Sequence, residues 1–179
     1  MKIVAYILTL CFWLGGFAAI SQTNLGNPSE VIASFYRALE LPTLEERSQA
    51  LNALFMEDGT IQSIVQRSSM VSSSRGGTVK DFLNGSNDFY LNNTMSYDEI
   101  ERSIDYYVDV AMIHSLVFQS IVERKNPSVA FEQMLWFSFS MAYQDDRWYL
   151  TAVSWVNAFE DEDIDDAMRL DTLWHQIKD

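Results

Sequence analysis

Residues 130–157, AFEQMLWFSFSMAYQDDRWYLTAVSWVN, constrain the fold more than any other stretch of this chain. Two runs rich in aromatic and β-branched residues flank the polar triplet Gln144-Asp145-Asp146, which predicts two long strands joined by a tight turn. Successive strand side chains point to opposite faces. The first strand then places Phe131, Leu135, Phe137, Phe139, Met141 and Tyr143 in one set, and Met134, Trp136, Ser138, Ser140 and Ala142 in the other. Strict alternation divides the second strand into Trp148, Leu150, Ala152 and Val156 against Tyr149, Thr151, Val153 and Trp155. Neither strand has the apolar-in, polar-out pattern of a sheet with one wet face. Both faces are therefore expected to be at least partly covered by helices, a ligand or another chain. A face that mixes large aromatics with Ser and Ala can also enclose a hollow.

The start of the chain reads as a targeting segment rather than as part of this fold. Lys2 precedes the apolar residues 3–20, and small residues stand at Ala19 and Ser21, as in a secretory signal cleaved before Gln22. Left uncleaved, the same run is long enough to anchor the chain in a membrane. The one cysteine, Cys11, lies inside it, so the exported chain would rely on core burial with no disulfide. Loss of Lys2 takes the net charge from −13 to −14. That acidity disfavours nucleic acid and anionic membrane surfaces, which need a cationic footprint. The expected organisation is a signal over residues 1–21, one domain over 22–159, and an acidic tail with a short helix over 160–179.

Helical signals come first. Asn27-Pro28-Ser29-Glu30 carries a cap, a first-turn proline and a capping-box acid, followed by Val31, Ile32, Phe35, Tyr36 and Leu39 on one stripe. Thr43 with Glu46 opens a second helix, and Asp58-Gly59 turns into a short strand over residues 60–65. Residues 67–77, RSSMVSSSRGG, read as a loop. Thr78 with Asp81 opens a short third helix that the pair Asn84-Gly85 is expected to stop. Strands follow over 96–104 and 108–122, broken at Asp105-Tyr106-Tyr107, before the hairpin of 130–157.

Three helical segments, an early strand and then four long strands predict an α+β layer fold. Phe35-Tyr36-Arg37-Ala38-Leu39, Leu54-Phe55-Met56-Glu57-Asp58, residues 111–115, and Arg147-Trp148-Tyr149-Leu150 with Trp155 resemble the nuclear transport factor 2-like (NTF2-like) superfamily, especially its SnoaL-like branch. The resemblance covers residues 27–157. It implies a cone-like, strongly bent, mostly antiparallel sheet wrapped around three N-terminal helices, the cystatin-like roll, with a pocket inside and dimerisation through the sheet. The family holds isomerases, dehydratases, hydrolases and non-catalytic binders, so the fold leaves function open.

Among residues that could carry chemistry, His114 stands with Val110, Met112, Leu116 and Phe118 on one predicted strand face. Burial there would keep its imidazole neutral and able to exchange a proton. Its face follows from pleat parity, which a single β-bulge reverses. The resemblance to steroid-isomerase-type members implies an oxyanion-binding role for Tyr36. The acid base of those enzymes aligns with Ser63, however, and their second acid with Ser138 or Ser140, which disfavours that mechanism. Glu99 and Glu101, two residues apart, are expected on one strand face. No calcium loop, zinc ligand set, phosphate-binding or dinucleotide glycine motif is present, so no metal or cofactor is expected.

The sequence thus points to an exported domain that binds a small hydrophobic molecule in the cone, with Phe35, Tyr36, Phe82, His114, Trp136 and Trp155 as candidate contacts. The alternatives are an isomerase, dehydratase or hydrolase with His114 and Tyr36 as catalytic groups, and a homodimer or protein-interaction module that uses the outer sheet face.

Overall fold

The computed structural model describes residues 25–68 and 71–158. The signal segment, the acidic run and the C-terminal helix expected from the sequence lie outside the described residues. Helix α1 spans Pro28–Glu40, α2 Leu44–Leu54 and α3 Val79–Asn92. The strands are β1 Phe55–Ser68, β2 Val71–Thr78, β3 Asn93–Tyr107, β4 Val110–Glu123, β5 Ala130–Gln144 and β6 Arg147–Ala158. They form one curved sheet in the order β2-β1-β6-β5-β4-β3, antiparallel except where β1 runs parallel to β6. This is the α+β, cone-like arrangement that the sequence implies.

The helices begin where their caps require. The Asn27 side chain accepts from the Ser29 amide at 2.9 Å, ahead of Pro28. Thr43 with Glu46 and Thr78 with Asp81 each close a reciprocal capping box. Helix α3 does not stop at Asn84-Gly85 but continues to Asn92. Leu83 and Tyr90 bury one of its sides, and that tertiary packing outweighs the roughly 1 kcal/mol penalty of an interior glycine.

The expected loop of residues 67–77 is instead the end of β1 and most of an edge strand, β2. Its Gly76 serves close approach between strands. A Cβ at Gly76 would lie 2.6 Å from the Ile61 carbonyl oxygen and 2.8 Å from Gln62 Cα. The break expected at residues 105–107 falls at Val108-Asp109, with Val108 at φ 52° and 80% exposed.

The central hairpin turns as its sequence predicts. Asp145 and Asp146 adopt φ of 51° and 61°, the pair of left-handed conformations found in a two-residue hairpin turn, with Gln144 opposite Arg147. Strict alternation fails on β6. Met141 pairs with Leu150 and Ser140 with Ala152, so Thr151 is a bulge. The bulge turns Val153 to the inner face with Trp148 and Leu150, and all three are buried. A second bulge at Ile100 separates Glu99 from Glu101, so the expected shared face is lost.

The core lies between α1 and the inner face of β5. The Phe35 ring meets Phe139 edge-on at 5.4 Å and Phe137 at 6.2 Å between centroids. Leu135, Phe137, Phe139 and Met141 are buried, while Phe131 and Tyr143, expected in the same set, are exposed at the strand ends. Phe35→Ala is expected to cost about 3–5 kcal/mol, read as a lowered urea midpoint. A loss below about 1 kcal/mol would contradict this packing.

Candidate functional site

The inner face is not fully occupied by the helices. Between α3 and the sheet lies a cavity of about 860 Å³. Phe82, Ser86 and Phe89 reach it from successive turns of α3, and Leu135, Phe137 and Trp155 form its floor. The aromatic walls are locked to one another. Phe82 meets Trp155 edge-on at 5.7 Å, and Trp155 stacks on Phe137 at 5.4 Å. The glycine missed as a helix interior residue matters here. Gly85 lines the cavity, and a Cβ added to it would meet nothing within 4 Å.

One wall is polar and ordered. Asn157 Nδ2 donates to Gln133 Oε1 at 2.9 Å, Gln133 Nε2 to Gln119 Oε1 at 2.5 Å, and Gln119 Nε2 to the Tyr97 hydroxyl at 2.9 Å. Gln119 is buried, so a partner for its amide is obligatory rather than incidental. Arg47 lies against Tyr90, with its Cζ 4.4 Å from the ring centroid. Arg47 is 1% exposed, and its Nη1 donates to the Leu41 carbonyl at 2.5 Å. Its Nε and Nη2 have no hydrogen-bond partner among the described residues.

The residues expected from the sequence divide between two sides of the sheet. Phe82 and Trp155 line the cavity, as does Ser63. Phe35 is packed into the core. Tyr36 stacks on Tyr97 at 5.7 Å but spends its own proton elsewhere. Its hydroxyl donates to Ser115 Oγ at 3.0 Å, which donates to Glu99 Oε1 at 2.5 Å. Arg102 Nε completes this group by donating to the same Glu99 oxygen at 2.7 Å. Their side chains are 19% and 22% exposed, although Glu99 as a whole residue is exposed on the edge strand. The ion pair and Tyr36 therefore tie α1 to β3 and β4.

His114 is not a core residue. It is exposed on the outer face, while its neighbours Ile113 and Ser115 are buried, and its Nδ1 lies 3.0 Å from Ser138 Oγ. Trp136 shares the outer face, opposite Leu116 and Val156. Parity grouped these residues correctly but could not say which group faced the helices. Tyr97, Gln119 and Gln133 were missed. Each stands in inward register, and a buried-parity glutamine on a strand is the signal that could have found them. Among the described residues no group of three or more His, Cys, Asp or Glu is placed to hold a metal ion.

A six-stranded curved sheet behind three helices, with a cavity on the helix side, can be compared directly with known folds. No family model matches the chain, and no curated relative matches it. Solved structures do. A protein assigned as a dehydratase of the NTF2-like family from Streptomyces avermitilis aligns with TM-score 0.56 at 12% identity, covering 76% of this chain and 98% of that one. One assigned as a scytalone dehydratase from Novosphingobium aromaticivorans gives TM-score 0.54 at 14% identity, covering 73% and 81%. One assigned as a calcium/calmodulin-dependent protein kinase II association domain from Xanthomonas campestris gives 0.54 at 11%, covering 74% and 86%. The fold is NTF2-like.

Burial holds three tyrosines of this NTF2-like domain neutral. Desolvation pushes Tyr97 up to about 12 from 10.0, and raises Tyr36 and Tyr90 as well. The unfolded chain therefore loses these protons first. Their stabilising contribution is full below pH 10 and falls as pH rises through about 12 for Tyr97. Urea midpoints measured from about pH 9 to 11 are expected to decline, and to decline less steeply in Tyr97→Phe. Identical slopes would place the Tyr97 hydroxyl in water.

Proposed function

We propose that this chain is an exported binding domain that holds a small, largely apolar molecule in the cavity between α3 and the inner sheet face. The observation that carries the reading is the aromatic cavity itself, of about 860 Å³, within the size range of small-molecule sites. The apolar residues 3–20 support export, and among the described residues no helix is long and apolar enough to cross a membrane. Two structural neighbours are assigned as dehydratases, which supports a pocket with a ligand but not a particular reaction.

Binding is favoured over proton-transfer catalysis by what surrounds the cavity. The described lining holds one carboxylate, Asp81, and its oxygen is engaged by Thr78 in the capping box. His114, the expected acid or base, stands on the other side of the sheet. His114→Ala is expected to leave ligand affinity unchanged.

The neutral fluorophore N-phenylnaphthylamine is expected to bind the purified protein saturably, with one site per chain. Gly85→Trp fills the open space beside Phe82 and is expected to abolish binding while the circular dichroism spectrum persists. Gly85→Ala, by contrast, is expected to raise stability by about 0.5–1 kcal/mol through helix propensity alone. No saturable binding to the wild type, or equal binding in Gly85→Trp, would contradict the cavity reading.

A second reading concerns the outer face, where Val110 and Met112 are 48% and 50% exposed beside Leu116 and Trp136. A second copy of the chain is its proposed occupant, in keeping with the neighbour assigned as an association domain. Sedimentation is expected to show a dimer that Met112→Asp dissociates. A monomer at high protein concentration would remove this reading.

A further inference from the structure

The polar wall of the cavity specifies more than a hydrophobic ligand, because its hydrogen bonds run in one direction. Asn157 donates to Gln133, Gln133 to Gln119, and Gln119 to Tyr97. A phenol oxygen has two lone pairs and one proton. At Tyr97 the amide of Gln119 takes one lone pair. The Tyr97 proton takes no part in that chain of amides. Among the described residues it is donated to the Met95 thioether at 3.7 Å, a weak acceptor. A hydroxyl that receives a hydrogen bond is itself a stronger donor, and a low local dielectric increases the effect.

Resting on the binding reading above, we infer that the ligand is an apolar molecule carrying one hydrogen-bond-acceptor oxygen, a carbonyl or a carboxylate, which docks on the Tyr97 hydroxyl. The aromatic floor of Phe137 and Trp155 takes the apolar body, and the proton of Tyr97 fixes its orientation. Gln119 is a positioning residue. It holds the Tyr97 oxygen as an acceptor and so leaves the proton for the ligand.

Three naphthalenes of matched shape test this by displacing N-phenylnaphthylamine from the purified protein: ethylnaphthalene, methyl naphthyl ketone and naphthoate. The ketone, the carboxylate or both are expected to outcompete the hydrocarbon by roughly 3- to 10-fold, the range of one net hydrogen bond. Tyr97→Phe is expected to erase the preference while leaving ethylnaphthalene affinity in place, and Gln119→Leu to reduce it. A preference for naphthoate over the ketone assigns an anionic oxygen, and the reverse assigns a neutral one.

Equal affinities in the wild type, or a preference that survives Tyr97→Phe, would overturn the inference. So would a preference for the matched naphthyl alcohol that depends on its hydroxyl proton, since the amide chain would then run in the opposite sense and Tyr97 would spend its proton on Gln119. Failure of the fluorophore to bind in a Gly85-dependent way sinks the cavity reading instead, so the two failures are distinct.

Discussion

With both Asp145 and Asp146 at positive φ, the β5–β6 turn twists in the sense of its own strands and sets Gln144 opposite Arg147. Phe137 consequently stands opposite Trp155, and Phe139 opposite Val153. The bulge at Thr151 is what allows Leu150 and Val153 to share the inner face despite their odd separation. Were the register to slip by one residue, the aromatic floor would face outward and Ser138, Ser140 and Ser154 would meet Phe35. The core, the cavity and the docking of α1 all depend on this one pairing.

The same dependence explains what the sequence made legible. The turn at Asp145-Asp146, the three helix caps and the layer order rest on local chemistry, and each is found where its residues place it. Face assignments rest on parity counted over many residues, and bulges at Ile100 and Thr151 defeat the count. β4 and β5 pair without a bulge, so His114 and Trp136 were grouped with the right neighbours. Parity alone does not say which group faces the helices, and they were assigned to the wrong side. Gly85 and the serines of β2 illustrate another limit. Glycine and serine composition signals a break, yet burial of Leu83 and Tyr90 carries α3 past the glycine, and backbone pairing with β1 needs no apolar side chains in β2.

Tyr36 and Tyr97 show how position along the fold separates from role. The rings stack at 5.7 Å, so both belong to one aromatic column. One hydroxyl is committed to Ser115 and, through it, to the Glu99–Arg102 pair. The other receives the amide of Gln119 at the cavity wall. Such a wall suits the recognition of a dipole or a charge. Nothing in the described lining combines a free carboxylate or imidazole with it, and Asp81 is held by its helix cap.

The most direct test of where this protein acts is a crystal structure with a bromonaphthyl methyl ketone bound, located by the anomalous signal of bromine. The account places the halogenated ring on the floor of Phe137 and Trp155, with the ketone oxygen within hydrogen-bond distance of the Tyr97 hydroxyl. A bromine peak on the outer face, beside Trp136 and His114, would contradict it and make the convex side of the sheet the functional surface.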